Sequence, residues 1–129
     1  MRLLLDTHAL IWWLLDTERL PDVARTAIAD PANEVLVSAV SAIEVTTKFR
    51  SGKLPFAQDL AENFEIVVAT ERFRTLPITV EHGQLAGLMQ IPHKDPFDRL
   101  LIAQAQIEQA ELVSNEALFD RFGVRRLWD

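Results

Sequence analysis

The sequence contains no cysteine among its 129 residues, which fits a protein of a reducing compartment. The chain is long enough to bury about two thirds of its unfolded surface in one core without disulfide or metal staples. No stretch reaches the roughly 18 uncharged apolar residues of a membrane span, and Asp6 and His8 interrupt the N-terminal run that a signal peptide requires. We therefore expect a soluble cytoplasmic protein without membrane contact, folded as a single domain over residues 1–129.

An excess of basic residues is also lacking. The chain carries 13 Lys and Arg against 19 Asp and Glu, a net charge of −6. This sign excludes a protein whose whole surface attracts nucleic acid, so any contact with nucleic acid must be local. The basic residues that come close together in sequence are Lys48, Arg50 and Lys53, and the pair Arg125 and Arg126.

Several motifs of common enzyme classes are absent. There is no Walker-type loop, no GxGxxG and no GxSxG, which leaves nucleoside triphosphate, dinucleotide and serine-hydrolase functions without support. The histidines His8, His82 and His93 do not have a zinc-binding spacing. Each is interpreted as a surface residue or as a polar residue satisfied within the fold.

Short apolar segments alternate with helical patterns along the chain. Such alternation predicts an α/β fold, in which a parallel sheet is covered by helices on both faces. Ser38 or Ser41 opens the helix after the second strand, and Asp95 followed by Pro96 is a strong helix start for a helix to about Ala110. The predicted strands are "RLLLD", "EVLVS", "RTLPIT", "ELVSN" and "VRRLW"; the other predicted helices are "THALIWWLL", "VARTAIA", "DLAENFEIVVA", "VEHGQLAGLM" and "EALFDRF".

Four acidic residues follow predicted strands or begin helices that connect them. Asp6 ends the first strand, Glu44 lies in the helix after the second, Asp98 lies in the first turn of the "DPFD" helix and Glu116 follows "LVS". Ligands of open parallel sheets bind outside the carboxyl ends of the strands. The four carboxylates can therefore reach one edge of the sheet.

Each acid also has a structural alternative. Asp6 has the position of a helix cap, Ser41 and Glu44 have capping-box spacing, and Glu44 and Lys48 have the spacing of a helical ion pair. Glu116 alone is an ordinary first-turn acid. The charge of Asp98 in the first helical turn interacts favourably with the helix dipole. The dipole does not explain why this acid shares the apolar helix face that Leu101, Ile102 and Ala105 form.

Convergence of the acids favours a metal site over independent caps. A buried carboxylate without a partner costs several kcal/mol, and neighbouring carboxylates raise one another's pKa. A bound cation offsets both effects, and ligands that are all oxygen suit Mg²⁺ or Mn²⁺. The sequence therefore predicts that an ion compensates the charge of Asp98.

Four segments together resemble the PIN-domain ribonucleases, and specifically the VapC toxins of bacterial toxin–antitoxin pairs. They are "LLLDTHALIWWL", "SAVSAIEVTTKFRSGKL", "HKDPFDRLLIAQA" and "LVSNEALFDRFGVRRLW", which span nearly the whole chain. The resemblance implies a three-layer α/β/α sandwich with a mainly parallel central sheet. It also implies a Mg²⁺- or Mn²⁺-dependent endoribonuclease, a small antitoxin as partner and a homodimer.

The resemblance assigns catalytic and metal-binding roles to Asp6, Glu44, Asp98 and Glu116. The family commonly has Asp at the fourth position, so Glu116 is longer by one methylene and is expected to act through a water. Ser114 and Thr7 are expected to support the acids without binding the ion.

The implied reaction is hydrolysis of an RNA phosphodiester by a water that the metal activates. Lys48, Arg50, Lys53 and Arg99 are candidates for contacts with the RNA backbone. Because Trp12 and Trp13 are adjacent and diverge on a helix, one of them is a candidate for lining an apolar groove for a partner. Two alternatives stay open: a receiver-like phosphoacceptor domain and a metal-free binding module with the PIN fold.

Overall fold

The computed structural model describes all 129 residues of the chain. Its centre is a sheet of five strands, all parallel, in the spatial order β3-β2-β1-β4-β5. The predicted parallel sheet is thus confirmed. The strands are β1 (Arg2–Leu5), β2 (Glu34–Ser38), β3 (Arg74–Leu76), β4 (Glu111–Val113) and β5 (Arg126–Leu127).

Helices connect the strands and cover both faces of the sheet. Two short 3₁₀ helices, Thr17–Arg19 and Ala117–Arg121, complete the structure. None of the helices has the length and apolar character needed to cross a membrane. The α-helices are α1 (Thr7–Leu15), α2 (Asp22–Ala29), α3 (Ala39–Arg50), α4 (Gln58–Glu62), α5 (Phe64–Thr70), α6 (Val80–Leu88) and α7 (Pro96–Ile107).

The core forms two layers because strand side chains alternate between faces. In β1, Leu3 and Leu5 pack with residues of α1 and α2 on one face, while Leu4 packs with residues of α7 on the other. All three leucines are fully buried, and each contributes about 2 kcal/mol through removal of its side chain from water. Two apolar layers around one sheet confirm the predicted three-layer sandwich.

Three helix predictions need correction. The segment "DLAENFEIVVA" does not form one helix, because Asn63 has a non-helical backbone and separates α4 from α5. Helix α7 ends at Ile107 instead of about Ala110, since Gln109 takes a left-handed conformation with φ of 53°. The segment "EALFDRF" forms a 3₁₀ helix instead of an α-helix.

Helices α6 and α7 are joined by a buried histidine. The Thr79 amide donates to Nδ1 of His82 over 3.0 Å, and the His82 amide donates to the Thr79 hydroxyl over 3.1 Å. This reciprocal cap leaves Nε2 of His82 to donate to the Glu108 carboxylate, 3.1 Å away at the end of α7. The histidine thus links the start of one helix to the end of the next.

Candidate active site

The candidate site lies at the carboxyl edge of the sheet, beside the central strand β1. The chain leaves β1 towards β2 on one side and reaches β4 on the other, so this edge is the point where ligands bind in open α/β sheets. A cavity of about 340 Å³ opens there. Its lining includes the four predicted acids together with two histidines and a further aspartate: Asp6, Glu44, Asp98, Glu116, His8, His93 and Asp95.

Asp6 both caps a helix and lines the cavity. Its Oδ1 accepts a hydrogen bond of 2.8 Å from the Ala9 amide at the start of α1, and the residue is only 5% exposed. Burial raises the pKa of the Asp6 carboxyl, and the charge of Glu116 raises it further, against hydrogen bonds from Ser114 and Ala9. The structural and functional interpretations of Asp6 are therefore compatible.

Glu44 is held by Thr7 instead of by the partners predicted for it. The Thr7 hydroxyl donates to Oε1 of Glu44 over 2.7 Å and lies 3.0 Å from the Ser41 hydroxyl. The capping box of Ser41 and Glu44, the structural alternative for this acid, does not form, because Ser38 caps α3. Glu44 is thereby tied to the residue that follows Asp6 in the chain.

Asp98 is less buried than its sequence position predicted, and its partner is a histidine. Asp95 caps α7 as predicted, by accepting from the Phe97 and Asp98 amides. The Asp98 side chain is 32% exposed, and its Oδ2 lies 2.7 Å from Nε2 of His93. Partial burial raises the pKa of Asp98, with smaller contributions from the charges of Asp95 and Glu116, while the His93 hydrogen bond opposes this increase.

Two histidines of the cavity, His8 and His93, are not among the predicted site residues. His93 is a satisfied polar residue, as one of the two interpretations of it has it, but its partner is the Asp98 carboxylate, and its ring also contacts Phe122, with ring centroids 5.7 Å apart. The sequence "HKDPFD" contains a signal for this contact. Asp95 and Pro96 fix the start of α7, and a residue just before such a start lies beside the first helical turn.

Glu116 is the most exposed of the four acids. It precedes the 3₁₀ helix, to which its side chain gives no cap, and its amide donates to the Ser114 hydroxyl over 3.0 Å. Ser114 is fully buried and lowers the pKa of Asp6 by hydrogen bonding. Ser114 thus contacts the Asp6 carboxyl and the backbone of Glu116, and the supporting role expected of it stays a prediction.

Arg99 has a different role from the RNA contact predicted for it. Its guanidinium donates to five backbone carbonyls of one segment, at distances between 2.6 and 3.4 Å. A guanidinium has five N–H donors, so none is left for a phosphate. The five accepting carbonyls belong to Ala86, Gly87, Met89, Ile91 and His93.

The other predicted RNA contacts lie towards the end of α3. Lys48 does not line the acidic cavity but lines an adjoining groove of about 590 Å³, and His8 lines both. Trp12 also lines this groove, whereas Trp13 turns the other way and donates its indole N–H to Glu71 over 2.8 Å. Arg50 and Lys53 are exposed and line neither space.

The donor set of the cavity suits a hard divalent cation. Carboxylate oxygens outnumber the imidazole nitrogens of His8 and His93 in it, and two of the carboxyls have raised pKa values because they are desolvated and close to other acids. As the side chains stand, no three of the Asp, Glu and His side chains are grouped to hold one ion. Mg²⁺ in proteins is commonly held by one or two carboxylates and keeps several waters, so waters would complete the coordination of an ion in this cavity.

Replacement of Asp6 by Asn should stabilise the metal-free protein at pH 7, by about 2–5 °C in melting temperature. Because the folded pKa of Asp6 lies above its unfolded value of 3.8, the ionised carboxylate destabilises the folded state. This penalty is present at neutral pH and disappears as the pH falls below 3.8. Asn retains the helix cap, so the part of the stability difference that varies with pH, in thermal melts of both proteins in EDTA from pH 7 to pH 3.5, measures the charge.

The same melts with Mn²⁺ add a second criterion. At a hundredfold excess over its dissociation constant, the ion should stabilise the wild-type protein by about 2.7 kcal/mol and stabilise Asp6→Asn less. An Asp6→Asn protein that melts below wild type in EDTA at pH 7 would contradict this account of the cavity.

Comparison with known proteins shows which family and which solved structures the chain is similar to. The PIN domain family model matches residues 3–124. No curated protein sequence matches the chain. Three similar solved structures are VapBC2 from Rickettsia felis bound to a DNA fragment of its promoter, VapBC-1 from nontypeable Haemophilus influenzae, and a toxin–antitoxin complex from Klebsiella pneumoniae.

The similarity to these structures is one of fold. Identities are 17%, 16% and 21%, with TM-scores of 0.72, 0.64 and 0.58 in the same order. The aligned regions cover 100%, 98% and 90% of this chain and 100%, 97% and 88% of the other chains. Since the family model spans nearly the whole chain and the fold agrees, the chain belongs to the PIN domain family.

Proposed function

We propose that this protein is a Mg²⁺- or Mn²⁺-dependent endoribonuclease and acts as the VapC-type toxin of a toxin–antitoxin pair. The observation that supports this proposal best is the cavity at the switch point of a PIN-domain sheet. Asp6, Glu44, Asp98 and Glu116 reach it from four separate segments of the chain. Independent helix caps have no reason to gather in this way.

The side chains have distinct tasks in this proposal. Asp6, Glu44 and Asp98 would hold the ion, and Glu116 would act on it through a water. When bound, the ion supplies Lewis acidity to the scissile phosphate and lowers the pKa of the attacking water. In the hydrolysis, the water oxygen bonds to phosphorus while the bond to the 3′ oxygen breaks, so no side-chain nucleophile is required.

RNA must approach a protein of net negative charge, so local cations matter. Lys48 lies in the groove beside the cavity, where it can contact a phosphate next to the cleaved one. Arg50 and Lys53 are exposed near the end of the same helix. The RNA contacts of these three residues stay predictions. Arg99 is not proposed to contact RNA, because its donors bind backbone carbonyls.

The groove beside the cavity is the proposed binding surface for an antitoxin. Five of its nine lining residues are apolar or aromatic, namely Ile11, Trp12, Leu15, Leu54 and Phe56, and the other four are polar or charged. Leu15 and Phe56 are 47% and 65% exposed, and exposed apolar surface of this kind is typical of protein contacts. The similar solved structures are themselves toxin–antitoxin complexes. The homodimer and the cytoplasmic location stay predictions, and light scattering of the purified chain would test the first.

Neutralising single acids should abolish RNA cleavage by the purified protein. Asp6→Asn, Glu44→Gln and Asp98→Asn should each lose at least 10³-fold in cleavage rate, because a hydrolysis that depends on the ion fails without its ligands. Cleavage of single-stranded RNA with Mn²⁺ measures this loss, and circular dichroism checks the fold. Sequencing RNA 5′ ends after induced expression identifies the target.

Cleavage that persists in purified Asp98→Asn, or that is unaffected by EDTA in wild type, would contradict the proposal. A wild-type melt that does not respond to Mn²⁺ would favour the metal-free binding module. The receiver-like alternative has no support in the structure, since Asp6 has no acidic neighbour in sequence and the chain belongs to the PIN family.

Glu116 should be the least critical of the four acids. It is exposed and reaches about 1.5 Å farther than Asp, whereas Mg²⁺ requires bonds of about 2.1 Å in near-octahedral geometry. Glu116→Gln should weaken Mn²⁺ binding about tenfold, as the loss of an indirect contact does, and Glu116→Asp should retain or increase activity. A Glu116→Gln protein as inactive as Asp98→Asn at saturating Mn²⁺ would identify Glu116 as a direct ligand.

A substitution in the groove should weaken antitoxin binding and leave the fold unchanged. Phe56→Ser should weaken binding of the cognate antitoxin at least tenfold, because a large exposed aromatic side chain in a groove is a typical binding hot spot. Ile66→Ser is the matched control, since Ile66 is 68% exposed but does not line the groove. Calorimetric titration measures both variants, and equal affinities would remove the groove from the interface.

A further inference from the structure

His93 is hydrogen-bonded to one oxygen of the Asp98 carboxylate, to which we assign metal binding. Its Nε2 lies 2.7 Å from Oδ2 of Asp98. Because an ionised carboxylate can only accept, this nitrogen must carry the hydrogen. The imidazole therefore acts as a donor to Oδ2 and leaves Oδ1 as the oxygen with free lone pairs for a cation.

The position of His93 is itself fixed from two sides. Its ring contacts Phe122, which is 8% exposed, and its backbone carbonyl accepts a hydrogen bond of 2.8 Å from Arg99. The side chain of His93 is 19% exposed. The imidazole thus has little freedom to leave the Asp98 carboxylate.

Arg99 fixes the whole segment that carries His93. Its guanidinium binds carbonyls from Ala86, in the last turns of α6, to His93, just before α7. Asp98 and Arg99 are neighbours on α7, where successive side chains diverge by about 100°. One helix turn therefore carries both the carboxylate in the cavity and the residue that holds the partner of this carboxylate.

We propose that His93 and Arg99 are positioning residues for the metal-binding carboxylate of Asp98. His93 orients the carboxylate through Oδ2, and Arg99 keeps His93 in place by binding the segment between α6 and α7. The proposal rests on the proposed function, because it takes Asp98 as a ligand. Hydrogen bonds of this kind orient ligands and raise metal affinity in many protein sites.

The first test compares two substitutions of His93 in Mn²⁺ binding, measured by calorimetry on the purified full chain. His93→Leu removes the donor and should lower the affinity at least tenfold. His93→Gln keeps an N–H donor at similar reach and should restore most of this loss. Lys94→Gln, an exposed neighbour in the same segment, is the control and should bind like wild type.

The outcomes separate this proposal from the proposed function. Equal or tighter Mn²⁺ binding by His93→Leu would overturn the positioning role, since His93 would then contribute nothing to Mn²⁺ affinity or would compete with the ion. Failure of Gln to restore affinity would also overturn it. A wild-type protein that binds no Mn²⁺ would instead contradict the proposed function itself.

The second test concerns Arg99. Arg99→Lys keeps the charge but cannot replace the five hydrogen bonds of the planar guanidinium. Hydrogen exchange of the amides in residues 89–95 should become faster, while exchange in β1 and β4 should not change. The faster exchange should be accompanied by a lower Mn²⁺ affinity. Faster exchange in residues 89–95 with unchanged Mn²⁺ affinity would show that Arg99 supports the fold alone.

Discussion

The structure depends on the complete burial of the three leucines of β1. This strand has neighbours on both edges and helices on both faces, and its three leucines have no exposed surface. A strand that is covered on both edges and both faces can place residues near a ligand only at its ends. The residue that follows it, Asp6, must therefore place its carboxylate at the edge of the sheet, where little water reaches it.

The placement of the other acids follows from this geometry. Parallel strands all end at the same edge, so β2 and β4 bring their following segments to either side of Asp6. Helix α7 begins at this edge and runs back along the sheet, so Asp98 in its first turn lies at the same edge. The topology thus brings these four positions together, and the raised pKa values of Asp6 and Asp98 show the energetic cost of placing acids at them.

The sequence was sufficient for the parts of the structure that depend on strand ends and helix starts. The alternating apolar segments predicted the sheet, and the positions of the four acids relative to them predicted that these acids share one cavity. Asp95 and Pro96 are strong local signals, and the start of α7 was correct. These features are determined within a few residues along the chain, so they can be recognised without tertiary contacts.

Other features could not be predicted because backbone atoms or distant residues determine them. Arg99 binds carbonyls, which every residue possesses and which therefore give no sequence signal. Glu44 contacts Thr7 instead of its helical neighbours, since tertiary packing brings α3 against the start of α1. The break at Asn63 likewise has no proline or glycine to mark it.

The connection between α6 and α7 has a consequence for the entropy of binding. His82 and Glu108 join the two helices at one end, and Arg99 ties down the connecting segment at the other. Ordering a segment of this length costs about 1–2 kcal/mol per residue in backbone entropy. Here the folding of the two helices bears that cost, so a ligand that enters the cavity meets a wall that is already ordered and retains more of its interaction energy as affinity.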